Sequence, residues 1–175
     1  MSVSTVDNKI RAGACVEWLD GADGDANRRG GDGRGRRALN ADLVNDLLAI
    51  EMATNATGWS ATLLADELVR HDRDWCVASV SSDVVGFAGM AHLAGEGHVL
   101  TVAVAPAWQG AGIGSKLIAA LLDAADAAGL AGVTLEVRVG NLAARRMYRR
   151  AGFIDAGTRP GYYADGEDAV IAWRR

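Results

Sequence analysis

Two stretches of this chain carry residue types whose spacing could do chemistry. The first is Val102–Ser115 (VAVAPAWQGAGIGS), in which an alternating apolar run stops at Pro106 and glycines follow at 110, 112 and 114. Without Cβ atoms such a turn can aim several backbone N–H groups at one point, and the start of a helix adds positive potential there. That combination suits a phosphate or pyrophosphate, although a ligand-free glycine turn would read the same if it stood alone. The second is Leu135–Phe153 (LEVRVGNLAARRMYRRAGF), followed by Tyr162 and Tyr163. It offers a carboxylate, Glu136, an amide, Asn141, and a phenol, Tyr148, which are groups able to move protons and orient a ligand.

Spacing narrows the phosphate ligand. A P-loop requires GxxxxGK[ST], but Lys116 follows Ser115 and no glycine stands at the required distance before it. A dinucleotide fingerprint requires GxGxxG, and here the third glycine comes one residue early, at Gly114. Both nucleotide motifs fail.

The elements that must position these residues follow from periodicity. Ala14–Leu19 reads as a short strand. Residues 20–37 (DGADGDANRRGGDGRGRR) have hardly an apolar side chain and read as a flexible Gly/Arg-rich insert, which divides an N-terminal segment, 1–37, from a domain over 38–175. Asn40 can cap a helix through Thr54 that carries Leu43, Leu47, Leu48 and Ile50, and Ser60 one whose face holds Leu63, Leu64 and Leu68. Trp75–Val80 and Val84–His92 flank a Ser-Ser-Asp turn as a hairpin, and His98–Val104 is the strand that Pro106 ends. The stripe Ile113, Leu117, Ile118, Leu121, Leu122 and Ala125 is a helix ended by Gly129. A strand over Val133–Val139, a helix over Leu142–Arg150 and two short strands near Phe153–Arg159 and Ala169–Trp173 complete an α/β domain with a mixed central sheet.

Gln109, Gly112 and Gly114 form QxxGxG, which resembles the pyrophosphate loop of the GNAT acetyltransferases. Glu136, Asn141 and Tyr148 ahead of a Gly-Phe pair are similar to that family's second block. LEVRxxNxxAxxxY with the later Tyr162-Tyr163 and Glu167-Asp168 resembles more narrowly the RimI branch, which acetylates the N-terminal alanine of a small-subunit ribosomal protein. The likeness runs from about Ala49 to Trp173 and is strongest over Val102–Tyr163.

The resemblance implies a GNAT fold, with central strands that splay and helices on both faces, and acetyl-CoA as donor without a metal. It implies that Val102, Ala103 and Val104 pair with the pantetheine arm, that Gln109, Gly110, Ala111, Gly112, Ile113, Gly114 and Ser115 hold the pyrophosphate, and that Asn141 orients the donor from the other side. Glu136 would be the base and Tyr148 the acid, with a backbone N–H near Val102–Val104 stabilising the oxyanion. An α-amino acceptor, with a pKa near ~8 against ~10.4 for lysine, suits a carboxylate base. Tyr162 and Tyr163 would line the acceptor groove. One departure is that Gly110 or Ala111 stands where the family loop commonly carries an arginine.

Bland alternatives accompany these roles. Glu136 could pair with Arg138 or an edge arginine, Tyr148 could be a core aromatic, and the tyrosine pair could be packing. Arg145, Arg146, Arg149 and Arg150 read as a solvated helix face, with some chance of meeting the CoA phosphate, and His71, His92 and His98 are scattered. Half of the residues are apolar, 23% are charged and the net charge is −4, the profile of an ordinary soluble globular protein, and a monomer is the expected state. The start lacks a signal-peptide core and no run is long and apolar enough to span a membrane, which implies the cytoplasm. Cys15 and Cys76 show no metal-ligand spacing and read as incidental thiols. A nucleic-acid module built on Arg28–Arg37 conflicts with the acidic chain and the lack of stacking aromatics. The expected acceptor is thus a protein N-terminus, of a ribosomal protein, with a small-molecule amine or a lysine side chain as the alternative.

Overall fold

A computed structural model describes residues 14–20, 35–55 and 59–175. Eight strands and four helices follow in chain order. They are β1 (Cys15–Leu19), β2 (Arg36–Arg37), α1 (Ala41–Thr54), α2 (Ala61–Leu68), β3 (Arg73–Val80), β4 (Asp83–Leu93), β5 (Glu96–Val104), α3 (Ile113–Ala127), β6 (Val133–Arg138), α4 (Leu142–Arg150), β7 (Ile154–Arg159) and β8 (Ala169–Arg174). The helix starts obey capping chemistry: Asn40 Oδ1 accepts the Leu43 N–H at 2.8 Å and Ser60 Oγ that of Leu63 at 3.1 Å.

The strands form one mixed sheet in the order β2-β1-β3-β4-β5-β6-β8-β7. Alternation sends Trp75 and Val77 of β3 to the face covered by α1 and α2, where they meet Leu43, Leu47, Leu64 and Leu68. Cys76, Ala78 and Val80 point the other way, into the core built on Leu117, Ile118, Leu121 and Leu122 of α3 and on Tyr148 and Phe153. All six residues of the expected α3 stripe are buried, each Leu or Ile contributing about 2 kcal/mol by leaving water.

Two expectations are corrected. Leu63 is 48% exposed, because α2 turns only Leu64 and Leu68 inward. Residues 21–34 of the supposed insert lie outside the described residues, but its last two are strand: β2 pairs in parallel with β1 through Trp18↔Arg36 and Leu19↔Arg37. Local composition hides this, since the partners of Arg36 and Arg37 are distant, namely Asp20 at 2.9 Å and Ser79 Oγ at 3.1 Å.

What positions the site is a break in the sheet's regularity. Strands β5 and β6 pair in parallel only at Gly97↔Val133 and His98↔Thr134 and then part, although β5 runs on to Val104 and β6 to Arg138. Just past the fork β5 carries a bulge, since Gly89 pairs with Thr101 and Met90 with Val99, leaving Leu100 as the extra residue. Leu100 therefore packs with the α1–α2 core while its neighbours Val99 and Val102 pack with the α3 core.

Candidate active site

One wall of the fork is backbone. After β5 a 3₁₀ turn over Pro106–Trp108 leads to Gln109, whose side-chain amide donates to the Val104 carbonyl at 3.0 Å and closes the turn. Gly110 and Gly112 have φ of +78° and +80°, a left-handed backbone that L side chains rarely adopt, and a Cβ at either would meet nothing within 4 Å. Conformation, not crowding, demands glycine there. Gly114 differs: its Cβ would lie 2.9 Å from Met147 Sδ on α4, so space between two helices, and not conformation, favours glycine there. The N–H groups of Gly112, Ile113, Gly114 and Ser115 have no acceptor among the described residues and stand at the positive end of a 15-residue helix. Of Val102, Ala103 and Val104, only Ala103 is buried; Val102 and Val104 are partly open.

The other wall is made of side chains. Glu136 lies on β6 beyond the last β5–β6 pair, and its carboxylate keeps 23% exposure. Its ion-pair partner is not Arg138 but Arg159 on the edge strand β7, at 3.3 Å. Arg138 instead holds Asp165 at 2.8 Å and Glu167 at 2.7 Å and lies 3.9 Å from the centre of the Tyr163 ring. Tyr162 and Tyr163 meet edge to face, ring centres 5.1 Å apart, with Tyr162 exposed and Tyr163 half-buried. Burial raises the Tyr163 phenol above its ordinary value; Arg138 opposes the shift, while Tyr162 and Glu136 add to it.

Tyr148 is 8% exposed and packs edge to face on Phe153 at 5.7 Å. Burial, and secondarily Tyr163, pushes its phenol far above the usual range. Tyr148 is thus a core aromatic, as one of the two readings of it expected. Asn141 is the N-cap of α4, its Oδ1 accepting the Ala144 N–H at 3.1 Å, which occupies that oxygen and leaves the amide NH₂ as the donor it can offer a ligand. The helix arginines divide: Arg145 and Arg149 both grip Asp155 Oδ2, at 3.0 and 2.7 Å, tying α4 to β7, and the reading of a solvated face fails for Arg145, which is largely covered, but holds for the exposed Arg149.

Sequence reasoning missed one carboxylate. Glu51 on α1 is fully buried, accepting from Thr101 Oγ1 at 3.2 Å beside the bulge and from Asn55 at 3.1 Å. Burial raises its carboxyl, against the two hydrogen bonds. Its helical position between Ile50 and Met52 gives a signal only in hindsight: it falls on the buried stripe Leu43, Leu47, Ile50.

Among the described residues no group of three or more His, Cys, Asp or Glu is placed to hold a metal ion, and no helix is long and apolar enough to cross a membrane. Cys15 is exposed and Cys76 buried.

Comparison with known proteins agrees with this geometry. Residues 41–153 match the acetyltransferase (GNAT) family. A protein named N-alpha-acetyltransferase RimI from Mycobacterium tuberculosis is 39% identical over 121 residues, covering 66% of this chain and 75% of that protein. Uncharacterized protein ML0378 of Mycobacterium leprae is 38% identical over 121 residues, 66% of this chain, and there the chain spans only 33% of the relative's length. The crystal structure of the ribosomal-protein-S18-alanine N-acetyltransferase from Escherichia coli superposes with a TM-score of 0.71 at 30% identity, covering 77% of this chain and 88% of that one. A glycine turn on a helix start, a forked pair of central strands and a match over more than half the length lead to one conclusion: the chain belongs to the GNAT family of acetyltransferases and is RimI-like within it.

Proposed function

We propose that the protein acetylates a protein N-terminal α-amine, that of a ribosomal protein, with acetyl-CoA as donor. The observation that carries this reading is the fork between β5 and β6, with unpaired backbone N–H groups on one wall and Glu136, Tyr162 and Tyr163 on the other. The name of the relative from M. tuberculosis points to an N-terminal α-amine, and that of the E. coli protein to the N-terminal alanine of a ribosomal protein.

The first turn of α3, Gly112–Ser115, fits a pyrophosphate, because its N–H groups have no acceptor among the described residues and stand at the positive end of a 15-residue helix. Val102–Val104 offers the open strand edge for a pantetheine amide, and the Asn141 NH₂ faces the same task from α4. Bound acetyl-CoA supplies the thioester carbonyl that the amine attacks. The chain's own work is on protons and position. Arg159 holds the Glu136 carboxylate in the resting state, and an arriving α-ammonium competes for that carboxylate. Glu136 removes the ammonium proton, freeing the nitrogen lone pair for attack. Tyr148, kept protonated by burial, gives its Oη proton to the sulfur that departs. Tyr162, exposed, and Tyr163, half-buried, flank the acceptor chain.

Release of free thiol from acetyl-CoA should be measured against peptides with N-terminal Ala, Ser or Met, lysine peptides with blocked termini, and small amines. The expected result is fastest turnover with a free N-terminal alanine. Turnover confined to a small amine or to blocked lysine peptides rejects the N-terminal reading.

A further inference from the structure

We infer that Arg138 is a positioning residue for the acceptor: by binding Asp165, Glu167 and the Tyr163 ring together, it sets the β7–β8 loop, residues 160–168, so that Tyr163 lies against Arg138 on the sheet face that Glu136 shares. The inference rests on the proposed acceptor wall and adds the device that shapes it.

Glu136 and Arg138 are two apart on β6 and so leave the same face of the sheet. Yet the two do not pair with each other; each is drawn to a different part of the chain that follows. Arg138 Nη1 donates to Asp165 Oδ2 at 2.8 Å and to Glu167 Oε2 at 2.7 Å, and the guanidinium carbon sits 3.9 Å from the Tyr163 ring centre. A planar guanidinium can satisfy carboxylates in its plane while its face lies on an aromatic ring; an ammonium cannot do both.

The contacts form a closed set. Glu167 uses its second oxygen to accept the Gly140 N–H at 2.8 Å, which ties the loop to the end of the strand that carries Arg138. The Glu167 carbonyl accepts the Tyr163 N–H at 3.1 Å, and Asp168 Oδ1 accepts the Gly161 N–H at 2.8 Å. Asp165 and Glu167 are both held below the usual carboxylate range, chiefly by the hydrogen bond from Arg138. The loop contributes no buried apolar side chain to either core cluster, so this polar set fixes its shape.

The test compares Arg138→Met, which keeps the aliphatic length, with Arg138→Lys, which keeps the charge. In Arg138→Met, amide hydrogen exchange at Gly161 and Tyr163 should quicken by about tenfold or more, while exchange in the first turn of α3 stays as in the wild type. With an N-terminal alanine peptide the acceptor KM should rise about tenfold, the KM for acetyl-CoA should hold, and Arg138→Lys should fall between. Glu167→Gln cuts the same set from the other side and should repeat the split, which covers an Arg138→Met protein that folds poorly. Unchanged exchange at Gly161 and Tyr163 in either variant overturns the inference. So does a parallel rise in both KM values. If the wild type ignores every peptide, the acceptor proposal fails while the exchange measurement still decides the role of Arg138.

Discussion

The two walls of the fork are built by different means. The wall that runs from Val104 to Ser115 is backbone: two glycines with left-handed φ, one glutamine closing its own turn, and N–H groups left over at a helix start. Its side chains do little, so many sequences could make it as long as the glycines stay. The wall around Glu136 is a set of ion pairs and rings drawn from β6, β7 and the loop after β7, with Glu136 held by Arg159 and the loop by Arg138. On the proposed reading, the backbone wall would recognise what all donors share, a pyrophosphate, and the side-chain wall, which can be altered residue by residue, would face the acceptor, where members of one fold diverge.

The comparison breaks first if proton transfer does not separate from donor binding. Glu136→Gln and Tyr148→Phe should each lower kcat by about 10²-fold or more, the scale of general acid–base catalysis, while acetyl-CoA binding measured by titration calorimetry stays as in the wild type. Because burial keeps Tyr148 protonated, its ionisation should cause no alkaline fall in rate up to about pH 10, the ordinary phenol value. Loss of acetyl-CoA affinity in Glu136→Gln would mean that the two walls are not independent.

A smaller effect tests the backbone wall from inside, because its glycines are there for different reasons. At Gly112 an alanine has open space but must adopt φ near +80°, at a cost of about 1–2 kcal/mol, so Gly112→Ala should raise the acetyl-CoA KM by about tenfold and spare the acceptor KM. At Gly114 the obstacle is Met147 Sδ at 2.9 Å, the flexible end of a side chain that can move aside. Gly114→Ala should therefore cost less, and Met147→Ala should relieve it without relieving Gly112→Ala. Equal losses at the two positions would remove the distinction.

That asymmetry also explains what the sequence could disclose. The order of elements after the insert was legible because each rests on local signals: caps at Asn40 and Ser60, the stripe from Ile113 to Ala125, and stops at Pro106, Gly129 and Gly152. The glycine turn was legible for the same reason, since its chemistry and its spacing coincide. The fork and the bulge at Leu100 were not, because they are relations between strands. Nor were the partners of the charges: Glu136 is paired across the sheet with Arg159, Arg145 and Arg149 with Asp155, and Arg36 with Asp20, none of which a one-dimensional pattern ranks above its rivals. The strand at Arg36–Arg37 was lost in a composition that reads as loop.

Glu51 touches the strand that carries the bulge, its buried carboxylate accepting from Thr101 Oγ1. Burial raises its pKa from 4.5, so the folded protein prefers the neutral acid while the unfolded chain ionises freely. The folded state therefore binds more protons than the unfolded state just above pH 4.5, and this group's contribution to stability is complete below that pH and lost as pH rises through the raised value. Glu51→Gln removes the titration, and the Asn55 amide can turn to present its carbonyl to the new NH₂ while the remaining oxygen still accepts from Thr101. Its melting temperature should exceed that of the wild type at pH 8, with the gap closing as pH falls toward 4. A gap that does not change with pH would mean that Glu51 stays ionised in the fold, which would then hold a buried charge rather than a neutral acid.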